Sequence, residues 1–277
     1  MKRILVTGKN SYIGDNFTNW MNQWPDNYQV IQESLVGQAW KQSDWSNYDV
    51  VLHVAGLAHN SADPQLKDQY YRINRDLTIE AAKKAKEAGV KQFIFMSSII
   101  VFGSKVSRIT KETLPNPDNF YGDSKLKAEQ GLKELIDEDF KIAIIRPPMV
   151  YGPGSKGNFP KLVKIAKFTP IFPDYNNKRS MIYIDNLMAV LKEVVDQDGW
   201  GYIHPQNKEY VKTSEMVKLI GQAANHKIYF VRWFNPVIQA MMGIGLINKV
   251  FGDLYYEEHI DHITDTISLE ESIRRSI

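Results

Sequence analysis

The sequence predicts an α/β fold, a doubly wound parallel sheet covered by helices, with a smaller C-terminal lobe. Two observations carry this prediction. Short apolar runs of β type alternate with longer segments of helical spacing over the first 150 residues. Beyond Pro148 the alternation stops, and closely spaced glycines and prolines introduce a series of scattered helices. We therefore expect one domain over residues 1–150 and a second lobe over residues 151–277, some of whose strands return to the sheet.

Each predicted element follows from a local pattern. Apolar runs of four to six residues predict the strands Arg3–Thr7, Gln29–Gln32, Val50–Val54, Gln92–Ser97 and Lys141–Arg146. Helical spacing between them predicts the helices Tyr12–Trp24, Leu66–Ala88 and Tyr121–Leu135. Gly89 is a typical C-cap for the second of these helices, and Pro147-Pro148 stop the last strand. The helices predicted for the second lobe are Phe159–Phe168, Asp185–Val195, Ser214–Ala224 and Pro236–Phe251.

Composition excludes several classes of function. The net charge of +2 is spread along the 277 residues, so we expect neither nucleic acid nor an anionic membrane as a partner. The chain has no cysteine, which excludes disulfides and thiolate catalysis, and His53 and His59 lack metal-ligand spacing, so no metal site is predicted. The longest apolar run, Pro236–Leu246, is shorter than the ~20 residues that span a bilayer. No signal peptide follows the basic start, and a cytoplasmic location is expected.

A glycine-bearing turn, Thr7–Gly14, follows the first strand and opens the first helix. Such a turn lets the backbone approach a pyrophosphate, which the helix N-terminus then binds through free N–H groups. Gly8 would make the tight turn, and Gly14 would let the helix pack close to the strand. Ser11 replaces the middle glycine of the usual pattern and could donate to phosphate. Taken alone, the same turn also suits ordinary strand–helix packing.

The end of the second strand bears on the type of dinucleotide. Glu33 lies ~20 residues beyond the glycines, where an acid binds the ribose 2′-hydroxyl of NAD. Residues 34–39 contain no Arg or Lys that would bind the 2′-phosphate of NADP. NAD is therefore favoured, NADP stays possible, and an exposed surface glutamate is the alternative interpretation of Glu33.

A tyrosine, a lysine and one of two adjacent serines form a candidate catalytic group. Tyr121 and Lys125 are four residues apart at the start of a helix, so they share one face. A lysine ammonium, together with a positive nicotinamide ring, would lower the pKa of the phenol and make it an acid/base at neutral pH. Ser97 and Ser98 end the preceding strand at the sheet edge where ligands bind in open α/β folds.

Six motifs stand in order along the chain: TGxxxxxG at the first turn, HVAG at 53–56, Asn74 in the long helix, SSxxVFG at 97–103, YxxxK at 121–125 and RPPxVYGPG at 146–154. In this order the sequence resembles the NAD-dependent epimerase/dehydratase branch of the extended short-chain dehydrogenases/reductases. The resemblance covers about the first 190 residues and implies a Rossmann-type sheet with a C-terminal substrate-binding lobe.

The resemblance also implies roles for individual residues. Tyr121 would be the acid/base, Lys125 its partner and a ligand of the nicotinamide ribose, Ser98 the second hydroxyl with Ser97 as the fallback, and Asn74 a supporting residue. The remaining cofactor-binding residues would be Gly8, Ser11, Tyr12, Ile13, Gly14, Glu33, Asp44 (against adenine), Ala55, Gly56 and Pro147. Substrate would be bound by Ser98, Tyr121, Asn158, Phe159 and the diphosphate-binding Arg179, with Arg232 the nearest candidate for a second arginine. Relatives dimerise through helices matching 66–88 and 121–135, which implies a homodimer.

The residues after Ser98 limit the reaction. The 4,6-dehydratases of the family carry Asp-Glu there, and this chain carries Ile99-Ile100, so dehydration is excluded. Two reactions at sugar C4 remain, 4-epimerisation and reduction of a 4-keto sugar, with a UDP-sugar of surface polysaccharide synthesis as the expected substrate. Two alternatives are a ketone or hydroxysteroid reductase of the same fold and a non-catalytic dinucleotide-binding regulator.

Overall fold

The computed structural model describes residues 1–58, 63–257 and 267–277. His59 lies outside these residues. The chain forms two compact units. Unit 1 comprises Met1–Gly103, Leu114–Pro147 and Met188–Pro205, and unit 2 comprises Ser104–Thr113, Pro148–Leu187 and Gln206–Ile277. A boundary between the units lies at Pro147, near the division expected at residue 150. Two segments do not follow that division. Met188–Pro205 belongs to unit 1, because its strand pairs in the sheet of that unit, and Ser104–Thr113 belongs to unit 2.

The strands are short and mostly buried. They are β1 (Lys2–Thr7), β2 (Tyr28–Glu33), β3 (Val50–His53), β4 (Gln92–Met96), β5 (Arg108–Ile109), β6 (Lys141–Ile145), β7 (Met149–Tyr151), β8 (Ile171–Pro173), β9 (Met181–Tyr183), β10 (Gly201–Ile203), β11 (Tyr229–Val231) and β12 (Tyr255–Tyr256).

The α-helices connect these strands. They are α1 (Tyr12–Met21), α2 (Lys67–Tyr70), α3 (Leu77–Glu87), α4 (Phe120–Lys133), α5 (Phe159–Phe168), α6 (Ile184–Asp196), α7 (Thr213–Ala223), α8 (Asn235–Ala240), α9 (Gly245–Phe251) and α10 (Leu269–Ser276).

Unit 1 is built on a parallel six-stranded sheet in the order β10-β6-β4-β3-β1-β2. Every residue of β3 and β4 is buried, as expected for strands covered on both faces. The strand order reverses at β1, which pairs with β2 on one side and β3 on the other. In open α/β sheets, ligands bind beyond the carboxyl ends of the strands at such a reversal. The predicted doubly wound α/β fold is confirmed, and the strand return is β10 beside β6.

The long helix predicted over Leu66–Ala88 is present with a change of pitch in its middle. α2 continues into a π-helical segment, Tyr71–Asp76, and then into α3. Gly89 follows the helix in a left-handed conformation, φ 82°, as its predicted C-cap role requires. Short π-helical segments in α-helices are frequent at functional sites, and this one contains Asn74.

Unit 2 contains three two-stranded ladders, β7 with β9, β8 with β11 and β5 with β12. The helix predicted over Pro236–Phe251 is wrong as a single element, because the chain forms α8 and α9 with a break between them. The break holds Gly243, whose conformational freedom disfavours a continuous helix. Among the described residues, no helix combines the length and the apolar character that crossing a bilayer requires.

Candidate active site

The turn after β1 is held tightly against the loop after β3. Gly8 has φ 106°, and a Cβ atom there would lie 2.8 Å from the backbone N of Ala55, so only glycine fits. The N–H of Gly8 donates to the Glu33 carbonyl over 3.0 Å, which fixes the turn to the end of β2. The first turn of the chain therefore opens at the point where the strand order reverses.

Ser11 caps α1. Its Oγ accepts a hydrogen bond of 3.1 Å from the N–H of Gly14, and its own hydroxyl hydrogen remains for an acceptor such as phosphate. A Cβ at Gly14 would approach the Val6 side chain to 3.1 Å, so the helix packs closely on β1. Tyr12 and Ile13 are half-buried in the first helical turn.

Glu33 ends β2 with its carboxylate already held in place. The Nε1 of buried Trp45 donates to Oε2 over 2.7 Å, and the Ser43 hydroxyl donates to Oε1. Glu33 is therefore a half-buried and oriented carboxylate, not an exposed surface glutamate. Its oxygens retain lone pairs that could accept hydrogen bonds from ribose hydroxyls.

Asp44 is exposed, and its carboxylate caps a turn. Oδ1 accepts from the N–H of Ser46 over 2.9 Å. The hydrogen bonds from Ser46 lower the pKa of Asp44 below its usual range. The structure gives this side chain a local role, and its placement against adenine stays a prediction.

The first turn of α4 lies against the turn that follows β4. Asn119 caps the helix by accepting a hydrogen bond of 2.9 Å from the N–H of Gly122. A Cβ at Gly122 would lie only 2.7 Å from the Ile100 carbonyl oxygen. This close approach brings Tyr121 next to Ser98. The roles of Asn119 and Gly122 in this placement were not predicted from the sequence.

Ser98 and Tyr121 form a hydrogen bond between their hydroxyl groups. Burial raises the pKa of Tyr121, the hydrogen bond with Ser98 opposes this, and Tyr70 adds to the rise. The Lys125 ammonium donates to a backbone carbonyl, burial is the largest cause of the rise, and Tyr121 holds its proton at neutral pH. The lowering of this pKa by Lys125 together with a bound nicotinamide stays a prediction.

Lys125 lies one helical turn beyond Tyr121. Its Nζ donates to the Met96 carbonyl over 2.8 Å and lies over the Phe95 ring, which leaves two N–H donors for a ligand. Burial lowers the pKa of Lys125 to about 8, and Glu129 opposes this. A Cβ at Gly56 would lie 3.1 Å from this Nζ, so the HVAG loop passes directly beside the ammonium.

The two adjacent serines face different surroundings. Ser97 is buried, and its hydroxyl donates to Glu129 Oε1 over 2.5 Å in the interior. Ser98 is half-buried, and its Oγ accepts from the N–H of Ile100 over 3.3 Å at the start of the turn Ile99–Phe102. The geometry thus brings Ser98 to Tyr121 and leaves the fallback Ser97 in the core.

Glu129 and Arg146 form a buried ion pair beneath the site. Arg146 Nε and Nη2 donate to the two carboxylate oxygens over 3.0 and 2.6 Å, and Glu129 is fully buried. The guanidinium carbon lies 4.0 Å from the centre of the Tyr202 ring. The pair ties α4 to the end of β6 and, through Ser97, to the end of β4. Glu129 was not predicted from the sequence, where its only signal is its place four residues after Lys125.

Asn74 is fully buried and connects the loop after β3 to α4. Oδ1 accepts from the N–H of Leu57 over 2.7 Å, while Nδ2 donates to the Leu57 carbonyl at 3.1 Å and to Ser124 Oγ at 3.2 Å. All of its principal hydrogen-bonding capacity is used within the protein. The geometry therefore makes Asn74 a positioning residue for the HVAG loop.

His53 is a buried structural residue. Its ring nitrogens contact Thr7 Oγ1 at 2.7 Å and Thr78 Oγ1 at 3.0 Å. Thr78 donates its own hydrogen to the Asn74 carbonyl, so Nε2 carries the ring proton and Thr7 donates to Nδ1. Burial lowers the pKa of His53 to about 3, and Lys125 adds to the effect. The neutral ring links β1 to Asn74.

Pro147 contributes through its backbone. Its carbonyl accepts from the N–H of Ile99 over 2.9 Å, which fixes the turn that begins at Ser98. Pro147 is itself buried, and its predicted contact with the cofactor stays a prediction.

The predicted substrate residues of unit 2 differ in what they offer. Arg179 is half-buried, and its Nη1 donates to the Gly252 carbonyl over 2.8 Å. Asn158 is exposed at the start of α5 and makes no side-chain cap. The Phe159 ring is buried against Tyr151, with 5.3 Å between ring centres, so only its backbone could meet a ligand.

Arg232, the nearest candidate for a second arginine, is exposed, and its Nε pairs with Asp174 Oδ2 at 2.8 Å. Its role as a diphosphate ligand stays a prediction.

The residues of unit 1 fit a nicotinamide dinucleotide. The capped helix N-terminus beside Gly8 suits a pyrophosphate, and the oriented Glu33 carboxylate suits a ribose. A Cβ at Gly56 would fill the space 3.0 Å from Asn74 Oδ1 and close to the Lys125 ammonium. The cradle thus offers the N–H groups at the start of α1, the acceptor oxygens of Glu33 and the Lys125 ammonium to such a ligand.

Comparison with known proteins supports this interpretation. A model of the NAD dependent epimerase/dehydratase family matches residues 4–201. A UDP-glucose 4-epimerase of Vibrio cholerae is 30% identical, with 98% of this chain and 88% of the relative covered. An N-acetyl-alpha-D-glucosaminyl-diphospho-ditrans,octacis-undecaprenol 4-epimerase of Escherichia coli O157:H7 is 28% identical, with 82% and 67% covered.

Solved structures of low identity share the fold. The UDP-glucuronic acid 4-epimerase of Bacillus cereus in complex with NAD is 18% identical with a TM-score of 0.77, covering 99% of this chain and 97% of the other. The dTDP-4-dehydrorhamnose reductase of Bacillus anthracis in complex with NADP is 19% identical with a TM-score of 0.76, covering 100% and 98%. The chain therefore belongs to the NAD dependent epimerase/dehydratase family.

Proposed function

We propose that this protein is an enzyme that transfers a hydride at C4 of a UDP-sugar, as a 4-epimerase or as a 4-keto reductase. The observation that carries the proposal is the hydroxyl pair of Ser98 and Tyr121, one helical turn from Lys125, at the carboxyl edge of the sheet. These groups can hold the oxygen of the reacting carbon and move its proton.

Tyr121 is the proton donor and acceptor in this scheme. Because burial keeps the phenol protonated, it can give its proton to a C4 carbonyl oxygen as that carbon is reduced. Ser98 holds the same oxygen by a hydrogen bond. When bound, the nicotinamide supplies or accepts the hydride at the same carbon. The two free N–H donors of Lys125 bind and orient the ribose, and its positive charge stabilises the phenolate left behind.

The turn after Ser98 supports hydride chemistry without dehydration. Ile99 is buried and Ile100 half-buried, so the turn presents apolar side chains and backbone to its surroundings. An elimination needs an acid/base group beside the sugar, and this turn offers no carboxylate. We therefore propose that the chain is not a 4,6-dehydratase.

Arg179 and Asn158 are proposed as ligands of the nucleotide diphosphate and the sugar. The guanidinium of Arg179 keeps N–H donors beyond the one given to Gly252. Replacing Arg179 by Met should raise KM for a UDP-sugar at least about tenfold with a smaller change in kcat. We also propose that the protein is a cytoplasmic homodimer and that it acts in surface polysaccharide synthesis.

The test is a substrate panel with the purified protein. UDP-glucose, UDP-N-acetylglucosamine and a UDP-4-keto-6-deoxy sugar are incubated with NAD or NADH, and both the products and the nicotinamide absorbance are followed. A 4-epimerase interconverts C4 isomers without net change in NADH. A 4-keto reductase consumes one NADH for each keto sugar reduced.

The same panel separates the alternatives. If the protein binds NAD but turns over no nucleotide sugar, it is a binding protein and the proposal is overturned. If free UDP fails to compete with the substrate that is turned over, a ketone reductase of the same fold is indicated. Tyr121→Phe serves as the matched control, since it removes one hydroxyl and leaves the cradle intact.

A further inference from the structure

Unit 2 exposes large apolar side chains that its own core does not use. Phe168 is 76% exposed, Trp233 68% and Leu246 70%, and Val237 and Ile244 are about half exposed at 56% and 49%. Scattered exposed apolar residues are normal on a soluble protein, but a continuous group marks a binding surface. We call Phe168, Ile171, Trp233, Val237, Ile244 and Leu246 the apolar patch.

The patch residues lie on elements that follow one another or pair with one another. Ile171 of β8 is the register partner of Tyr229 of β11, and both side chains are exposed. Phe168 ends α5 three residues before Ile171, and Trp233 lies two residues beyond β11 in the turn that leads into α8. Val237 lies on α8, and Ile244 and Leu246 lie at the start of α9.

The inner faces of the same elements are well packed. Phe172 of β8 contacts Phe230 and Phe251, with ring centres 6.3 and 5.9 Å apart. Ile238 of α8 is 7% exposed and anchors that helix. The apolar outer face is therefore a fixed surface of the folded unit and not a poorly packed segment.

Charge distinguishes this region from the rest of the chain. Residues 148–173 and 216–252 contain eight cationic residues and no Asp or Glu. The cations are Lys156, Lys161, Lys164, Lys167, Lys218, Lys227, Lys249 and Arg232, all of them exposed. Arg232 pairs with Asp174, which lies one residue beyond the first segment. The expectation that the net charge of +2 is spread along the chain is wrong for these segments, and the remaining residues are net negative.

We infer that the apolar patch and its lysines bind the surface of an anionic lipid bilayer. Interfacial membrane-binding surfaces combine Trp, Phe and Leu with Lys and Arg around them, and aromatic rings favour the headgroup region. Each basic residue near an anionic leaflet contributes about 1 kcal/mol. Three lysines on α5 lie within one or two turns of Phe168, so charge and apolar contact act at the same place.

The charge pattern also argues against a second copy of this chain as the occupant. A symmetric dimer through the patch would bring the cations of one copy against those of the other, because both partners present the same surface. Like charges across an interface cost several kcal/mol. An anionic surface neutralises the same groups, so the lipid bilayer is the occupant that the patch favours.

Sedimentation with vesicles tests the inference without substrate or cofactor. We expect the protein to bind vesicles with about one third phosphatidylglycerol at low salt, and at least about tenfold more weakly in high salt or with phosphatidylcholine alone. Trp233→Ser with Phe168→Ser, and separately Lys164→Glu with Lys167→Glu, should each weaken binding at least about tenfold.

The matched control is Trp200→Ser. Trp200 is 68% exposed, as Trp233 is, but it belongs to unit 1 and to neither basic segment, so its replacement should leave vesicle binding unchanged. Urea unfolding of each variant checks that the fold is intact. Absence of binding to anionic vesicles at low salt overturns the inference. So does a patch variant that dissociates an oligomer while vesicle binding stays as in the wild type.

Discussion

The two units of the molecule differ in what they bury and what they expose. Unit 1 buries charged and polar groups beneath its candidate active site: Glu129 is 0% and Arg146 5% exposed. Unit 2 buries polar side chains such as Asn177 and Asn207 but no charged one among its described residues, and it leaves Trp233 of the apolar patch 68% exposed. Buried charges are tolerated only with paired, well-oriented partners, so the site of unit 1 is held rigidly. The exposed apolar groups of unit 2 contribute little to its own stability and are available for binding.

Breaking the buried ion pair should give the largest loss of stability. Glu129→Met leaves the Arg146 guanidinium buried without its carboxylate, and we expect the free energy of unfolding to fall by about 3–5 kcal/mol. Urea denaturation measures this. The control is the double variant Glu129→Met with Arg146→Met, which removes both charges and should recover part of the loss. A single variant as stable as the wild type would contradict the role of the pair.

The element boundaries of unit 1 follow from the sequence because strong local signals set them. Buried strands read as apolar runs, Gly89 ends the long helix, and paired prolines follow β6. The sequence does not show which of Ser97 and Ser98 faces the site, because every residue of β4 is buried and the strand has no alternating apolar and polar pattern. Glu129 and Arg146 were missed for a related reason, since a partner distant in the chain is visible only after folding. The basic segments of unit 2 were present in the sequence but hidden by the net charge.

Acid should weaken unit 1 through His53. Its pKa is about 3 in the fold and 6.5 as a model value, so the unfolded chain takes up the proton first. The neutral His53 ring contributes its full stabilisation above about pH 6.5, and this stabilisation is lost as the pH falls towards 3. At pH ~5 the loss amounts to about 2 kcal/mol. In His53→Gln this pH-dependent part of the unfolding free energy should disappear. If the unfolding free energy falls equally in the wild type and in His53→Gln between about pH 8 and pH 5, His53 is not the cause of the loss.

Cofactor preference tests the end of β2. Glu33→Gln with Ser34→Arg should shift the ratio of kcat/KM for NAD over NADP at least about tenfold towards NADP, about 1.4 kcal/mol. Glutamine keeps one oxygen for Trp45, so the local structure is preserved. The control is Ser34→Arg alone, which retains the carboxylate. An unchanged ratio in the double variant would mean that Glu33 does not bind the ribose.

The smallest effect is expected for truncation at the surface of unit 2. Trp233→Ala removes a large side chain that is mostly in water, so the free energy of unfolding should change by no more than about 0.5 kcal/mol. Phe93→Ala in the core of unit 1 is the comparison, with an expected loss of about 3–5 kcal/mol. A large loss in Trp233→Ala would show that the patch is part of the core of unit 2.

The proposed hydride transfer at C4 depends on a phenol, a serine hydroxyl and a lysine ammonium gathered at one edge of the sheet. The direct measurement is the single-turnover rate of hydride transfer from a UDP-sugar to bound NAD in Tyr121→Phe and in the wild type, with NAD affinity measured in parallel. We expect the rate to fall by about 10²–10⁴ while the Kd for NAD changes less than about twofold. A rate within a few-fold of the wild type would contradict the assignment of Tyr121 as the proton-transferring group.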